Sequence, residues 1–227
     1  MALIVPSLLA GDFARLGESL EVVQALGVPV VHIDVMDGHF RPQISAGQPV
    51  IRSIRRATNL ELDIHLLIER PERYLEDFVK AGADSLAFHI EASENLPLAI
   101  NRARKLRSRA GVALNATTPV ETCFEVLEDI DFVLVEAAAE TLKPRSLHRV
   151  AALAKERKAR GLNLAIEAEG DFGAGEAGKL FSAGADILVV GSAIFDKEER
   201  GEAMRALARK LSRDSAAFAQ ETKYGAH

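Results

Sequence analysis

The chain has 227 residues, 48% of them hydrophobic and 27% charged, enough apolar material for one large domain or two small ones. A formal net charge of −5 with no basic run argues against nucleic acid as a partner, and no apolar stretch approaches the roughly 20 residues that a membrane helix needs. The one cysteine, Cys123, cannot form an intramolecular disulfide, and the apolar start from Met1 to Ala10 lacks a positive leading segment and is broken by Pro6, so a soluble cytoplasmic protein is expected.

In chain order, Ile4 to Leu9 is a short apolar run, and an amphipathic stretch follows from Phe13 to about Leu26 with Asp12 as its cap. Gly27 stops it, and the β-branched residues Val30, Val31, Ile33 and Val35 predict a buried strand entered through Pro29. Pro49 to Ala57 has helical periodicity, Leu60 to Leu66 reads as a strand, and Pro71 to Lys80 as a helix with proline in its first turn. Ser85 to His89 is a strand, Leu96 to Arg109 a charged helix, Gly111 to Asn115 a strand and Pro119 to Leu127 a helix. Phe132 to Ala137, Leu162 to Ala168 and Ile187 to Val190 are strands, alternating with helices over Ser146 to Arg160, Glu176 to Ala183 and Arg200 to Leu211. The turn Ala81-Gly82-Ala83-Asp84 recurs letter for letter as Ala183-Gly184-Ala185-Asp186.

Eight strand-then-helix units without a linker, with strands apolar on both faces, imply a parallel sheet, and eight such units predict a single-domain (β/α)8 TIM barrel over residues 1–212 with a polar tail over 213–227. A doubly wound open sheet would call for a glycine-rich dinucleotide turn after an early strand, and none is present.

Functional groups in such a barrel gather at the carboxyl ends of the strands. His32, Asp34 and Met36 share one side of the second strand, and an imidazole beside a carboxylate on an apolar strand is costly to bury without a partner. A metal ion or a substrate would serve, and so would a core histidine beside a capping aspartate. The other strand ends offer Ser7, Asp63 and His65, Glu136, and Glu167 with Glu169. Two histidines and two or three carboxylates converging on one mouth form a ligand set for one divalent ion, Zn²⁺, Mn²⁺ or Fe²⁺. His39, His89 and His148 read as solvated or capping residues, with His89 of interest only because it ends a strand.

The segments Pro6-Ser7-Leu8-Leu9, Asp12 to Gly17, His32-Ile33-Asp34-Val35-Met36-Asp37-Gly38-His39-Phe40, Leu62-Asp63-Ile64-His65-Leu66 and Gly191-Ser192-Ala193-Ile194-Phe195 resemble the ribulose-phosphate 3-epimerase family. Pro71-Glu72-Arg73-Tyr74 and Lys80 to Asp84 fit as well, so the resemblance runs from about Ile4 to Leu211. It implies that His32, Asp34 and His65 bind a catalytic metal, that Asp34 is one of two acid/base residues, that Ser7 touches substrate and that Met36 lines the reacting face. Where the family carries a second acid/base aspartate that is also the fourth ligand, this chain has Glu169, in Ala168-Glu169-Gly170-Asp171. Where the family carries a methionine and a Pro-Gly-Phe-Gly-Gly loop that binds phosphate, it has Glu136 followed by Ala137-Ala138-Ala139-Glu140-Thr141-Leu142-Lys143, without glycine. Leu67 and Gln43 replace a methionine and an asparagine. Gly170, Gly191 and Ser192 remain as parts of a phosphate site, and Glu136 must meet a polar substrate group, a water or a cation such as Lys143 or Arg145.

The resemblance therefore implies an isomerase: an epimerase that inverts C3 of a ketose phosphate by passing a proton between Asp34 and Glu169 through an enediolate, with one divalent ion as cofactor. A lyase or decarboxylase using the same enediolate, and a non-catalytic sugar-phosphate-binding descendant, are the competing readings. A small-molecule sugar phosphate is the expected partner, and a homo-oligomer the expected assembly.

Overall fold

The computed structural model describes residues 2–137, 143–195 and 202–211. The eight strands are β1 (Leu3–Pro6), β2 (Val30–Met36), β3 (Glu61–Leu67), β4 (Ser85–His89), β5 (Arg109–Leu114), β6 (Phe132–Ala137), β7 (Ala165–Gly170) and β8 (Ile187–Val190). All neighbours are parallel, in the order β1-β8-β7-β6-β5-β4-β3-β2. A parallel bridge from Ser7 to His32 joins the two ends of that order, so the sheet curls into a nearly closed (β/α)8 barrel, the TIM-barrel architecture expected. The α-helices are α1 (Leu16–Ala25), α2 (Gln48–Ala57), α3 (Leu75–Ala81), α4 (Leu96–Lys105), α5 (Lys143–Arg160), α6 (Ala174–Ala183), α7 (Ser192–Phe195) and α8 (202–211). Among the described residues no helix is long and apolar enough to cross a membrane. The tail over 213–227 lies outside the described residues.

Several boundaries differ from the sequence reading, each for a local reason. The charged helix expected to reach Arg109 stops at Lys105, because Arg107 takes a positive φ of 60° that no α-helix continues. Arg109 then opens β5. The helix expected from Phe13 begins as a 3-10 turn, Phe13–Arg15, on which Asp12 accepts the Ala14 N–H at 2.9 Å. The segment after β5 winds as a 3-10 helix, Val120–Val126, instead of an α-helix. Leu162 does not start the seventh strand: its N–H is taken by the Arg157 carbonyl at 3.0 Å after the left-handed Gly161 (φ 64°), and β7 starts at Ala165.

The repeated turn does the same work twice. Gly82 (φ 117°) and Gly184 (φ 111°) both cap a helix in the left-handed conformation. The following aspartates, Asp84 and Asp186, accept the backbone N–H of Leu62 and Ile166, each at 2.8 Å, from the strand before. Asp131, ahead of β6, does likewise for Ala110 at 2.8 Å. The starts of β4, β6 and β8 are thus each pinned to the preceding strand by a carboxylate.

Residues at alternate positions fill the barrel, and its two sides differ. Ala87, Ala113, Phe132 and Leu134 form a small apolar cluster of their own. Across from them lie the buried polar residues His32, Asp34, Asp63 and His65. The outer faces of the strands, with Val31, Ile33 and Val35 of β2 among them, join the helices in the main core. Gly111 lies under the Phe132 ring, where a Cβ would come within 2.2 Å of ring carbons. Gly111→Ala is therefore expected to destabilise the protein by about 1–3 kcal/mol in urea unfolding, as overpacked cores do. Adding Phe132→Leu to it should recover part of that loss, and strictly additive effects would contradict the account.

Candidate active site

The mouth of the barrel collects its polar groups from β2, β3 and β7. The β2–β3 register sets His32 beside Asp63 and Asp34 beside His65, and the two imidazoles have no solvent exposure. His32 Nε2 lies 3.3 Å from Asp34 Oδ1, and His65 Nδ1 lies 3.2 Å from the same oxygen. Glu169, brought in by β7, sets Oε2 3.0 Å from His65 Nδ1 and Oε1 3.8 Å from His32 Nε2. The four side chains offer atoms that all lie within 4.8 Å of one another, an arrangement that can hold one metal ion. The remaining nitrogen of His32, Nδ1, donates to Asp63 Oδ2 at 2.6 Å, and Asp63 in turn accepts from Ser85 Oγ at 2.5 Å. This orients His32 with Nε2 toward the cluster, as carboxylates behind metal-bound histidines do.

The electrostatics match a site built around positive charge. Burial alone would depress His32 and His65, but for His32 the carboxylates of Asp34 and Asp63, and for His65 those of Glu169 and Asp34, override it. His32 is raised well above the ordinary imidazole range and His65 up to about 10. Asp34 is held well below the usual carboxylate range despite its burial, by the two imidazoles. Glu169 is raised by burial and by Asp34. Its Oε2 is buried yet satisfies no hydrogen bond, although His65 Nδ1 is 3.0 Å away. A buried carboxylate oxygen 3.0 Å from one imidazole and close to the shared centre, with two imidazoles and a second carboxylate, fits a divalent cation of the Zn²⁺, Fe²⁺ or Mn²⁺ kind.

Of the other expected site residues, Ser7, Gly170, Gly191 and Ser192 line one cleft of about 420 Å³ together with Asp34 and Glu169. Ser7 Oγ donates to Asp34 Oδ2 at 2.7 Å, and Ser192 Oγ donates to Asp171 Oδ1 at 2.5 Å. Gly191 also serves packing, since a Cβ there would meet Ala10 Cβ at 2.9 Å. Met36 instead lines a neighbouring cavity with Ile44 and Tyr74. Glu167, one layer below Glu169, is fully enclosed, and burial followed by the nearby Asp63 charge pushes it up to about 8, so it holds a proton at neutral pH.

Glu136 does meet a cation, but the cation is Arg41, from the loop after β2, which also donates to Asn115 Oδ1 at 2.6 Å. Lys143 lies outside the described side chains, and Arg145 is exposed. Arg149 of α5 braces the same edge, donating to the carbonyls of Glu136 at 3.0 Å and Asn115 at 2.8 Å. His89, read from sequence as solvated or capping, is instead completely buried beside the cluster, its Nε2 2.9 Å from His65 Nε2 and its Nδ1 3.1 Å from Glu91 Oε2. Its position two residues before a glutamate at a strand end was the available signal. Nothing in the sequence marks Arg41 or Arg149.

A profile of the ribulose-phosphate 3 epimerase family matches residues 3–195. The ribulose-phosphate 3-epimerase of Bacillus subtilis (strain 168) is 38% identical over 214 residues, covering 90% of this chain and 97% of its own. That of Treponema pallidum (strain Nichols) is 40% identical over 197 residues, covering 85% and 90%. The chloroplastic ribulose-5-phosphate-3-epimerase of Arabidopsis thaliana is 36% identical and covers 96% and 79%. Among solved structures, a mutant tryptophan synthase alpha-subunit of Pyrococcus furiosus superposes with a TM-score of 0.63 at 14% identity over 92% of this chain and 97% of that one. Thiamine phosphate pyrophosphorylase from Pyrococcus furiosus does so with 0.62 at 16%, over 94% and 96%. These two share the fold.

The charge pattern generates a pH prediction. The ion pairs made by His32 and His65 contribute stability that is complete below an imidazole's ordinary pKa of about 6.5 and is lost as pH rises through the raised values, about 10 for His65. A metal bound by the same nitrogens must displace both protons. Zinc is therefore expected to bind at about one per chain and release about two protons, its affinity rising about a hundredfold per pH unit between about pH 6 and 8. Calorimetry in buffers of different ionisation enthalpy measures the protons. A pH-independent affinity, or equal zinc in His65→Ala, would contradict the assignment.

Proposed function

The chain belongs to the ribulose-phosphate 3 epimerase family, and from that premise we propose that it is an isomerase that inverts the C3 centre of a ketose phosphate. The observation that carries this reading is the pair Asp34 and Glu169, carboxylates from opposite sides of the barrel order that line the same cleft. Epimerisation beside a ketone removes a proton from one face of a carbon and returns one to the other, and two positioned carboxylates meet that need. Asp34, kept ionised by the imidazoles and by the Ser7 hydroxyl, is the base in one direction. Glu169, with its carboxyl raised by burial and by Asp34, is the matching acid. The roles exchange in the reverse direction. A divalent cation held by His32, Asp34, His65 and Glu169 would supply the neutralisation of charge developing on the substrate oxygens. Ser7, Met36, Glu136, Gly170, Gly191 and Ser192 are the proposed substrate-binding residues.

The changed loop supports a ketose phosphate other than ribulose 5-phosphate. After Ala137 the sequence carries no glycine through Lys143, and side chains with a Cβ disfavour the backbone conformations that let N–H groups converge on an anion, although residues 138–142 lie outside the described residues. Ser192 gives its hydroxyl to Asp171, a carboxylate in the same cleft. The Arg41–Glu136 pair adds a polar end to the mouth. These features support a substrate whose far end differs from that of ribulose 5-phosphate.

Asp34→Asn should abolish exchange of the C3 proton with deuterated water, and Glu169→Gln should lower it by about a hundred- to ten-thousand-fold. NMR of the substrate carbon reads this directly, and near-normal exchange in either variant with metal still bound would remove that residue from the acid/base pair. On ribulose 5-phosphate itself kcat/KM is expected to fall below the range of efficient enzymes, about 10⁶ M⁻¹s⁻¹. Steady-state rates at or above that value would mean that the loop change is neutral.

A further inference from the structure

The proposed ligand set leaves His89 and Glu91 without a task, yet both are held closely. His89 sits at the end of β4, completely buried, with its ring edge to edge with that of His65, nearly coplanar at 23° and 5.0 Å between centroids, and against Phe40 at 4.8 Å. Its two nitrogens face different partners. Nδ1 is 3.1 Å from Glu91 Oε2, and Nε2 is 2.9 Å from His65 Nε2. The other oxygen of Glu91 accepts from the Thr118 hydroxyl and from the Asn115 N–H at 2.9 Å. Burial works against this carboxylate, but its hydrogen bonds hold it down at about 2, so it is ionised and can only accept.

A chain of donor and acceptor roles follows from this geometry. Glu91 offers no hydrogen, so His89 Nδ1 must donate to it. Where two ring nitrogens meet at 2.9 Å, one donates and the other accepts. A neutral His89 with its hydrogen on Nδ1 presents a bare Nε2, which takes a hydrogen from His65 Nε2. A neutral His65 with its hydrogen on Nε2 has a bare Nδ1, and Nδ1 is the nitrogen 3.2 Å from Asp34 Oδ1 and 3.0 Å from Glu169 Oε2. Asp63 achieves the same for His32 directly, through Nδ1 at 2.6 Å.

We infer that Glu91 is a positioning residue that, acting through His89, selects the tautomer of His65 whose Nδ1 is free to hold a cation. The two histidine ligands are thus set by two different devices, a carboxylate in contact for His32 and a carboxylate one imidazole removed for His65. This inference rests on the reading of His65 as a ligand. It makes a specific claim about Glu91→Gln, a nearly isosteric change. The Thr118 hydroxyl and the Asn115 N–H both need an acceptor, so the amide oxygen takes that side and the NH₂ turns toward His89 Nδ1. His89 must then carry its hydrogen on Nε2, which points at His65 Nε2 and opposes the hydrogen there.

The test uses full-length protein with ¹⁵N-labelled histidine, loaded with zinc, comparing wild type with Glu91→Gln and Glu91→Asp. Imidazole ¹⁵N shifts report which nitrogen bears hydrogen, and competition with a chelator reports zinc affinity. In the wild type the expected result is His65 bound through Nδ1 and protonated at Nε2, with His89 protonated at Nδ1. Glu91→Gln should move the His89 hydrogen to Nε2 and weaken zinc by about 10- to 100-fold, the usual effect of losing a partner behind a ligand. Glu91→Asp, which restores an acceptor-only group, should keep the His89 tautomer and bind more tightly than Glu91→Gln. Zinc bound by wild type with the His89 tautomer and the affinity unchanged in Glu91→Gln would overturn the inference alone. A wild type that binds no zinc would remove the ligand reading and this inference with it. Two zinc ions per chain, with His65 Nε2 as a ligand, would overturn it as well.

Discussion

Two imidazoles and their carboxylates, buried inside a parallel barrel, are the constraint on which the rest of this molecule turns. Isolated charges in such a place are costly, and removing one partner of a buried pair strands the other. The structure answers by leaving neither imidazole single. His32 stands between Asp34 and Asp63, and His65 between Asp34, Glu169 and His89. Asp63 is tied further to Ser85, and Asp34 to Ser7. At Glu167, burial and the nearby Asp63 charge outweigh His32, Arg109 and His65, and the carboxyl is pushed up to about 8. The same lattice supports the proposed chemistry, because it keeps one carboxylate ionised beside another that holds its proton more readily.

The apolar half of the interior exists to make this possible. Ala87, Ala113 and Gly111 are small, so the large Phe132 and Leu134 rings and chains from β6 fill that side. Beside this apolar cluster, polar side chains from β2, β3 and, across the ring, β7 converge on the mouth. Arg41, Glu136 and Arg149 then extend polarity across the mouth to β5 and β6.

Much of this is legible in the sequence. The alternation of His32 with Asp34 and of Asp63 with His65 on apolar strands specifies which side chains share a face, because the strand period is two and parallel register does the rest. The strands Ser85–His89, Phe132–Ala137 and Ile187–Val190 were predicted with their observed limits, since turns or glycines bound them. What escaped was whatever depends on contacts between distant segments. Arg41 and Glu136 are 95 residues apart, and the role of His89 depends on a neighbour in the next strand, so neither leaves a periodic trace. The end of α4 escaped for another reason: a left-handed arginine carries no compositional mark.

The seam between β1 and β2 places these groups in time as well as in space. Every other neighbouring pair of strands is joined by a ladder, but these two ends of the sheet meet at the Ser7–His32 bridge, beside the bond from Ser7 to Asp34. As the chain is synthesised from its amino terminus, His32, Asp34 and His65 all emerge within the first third, while β8, the strand that β1 pairs with along its length, comes after residue 186. Glu169 arrives almost as late. A nascent chain on the ribosome therefore carries three of the four clustered side chains long before the barrel can close, and the closing of the ring and the completion of the cluster belong to the same late stage of its maturation.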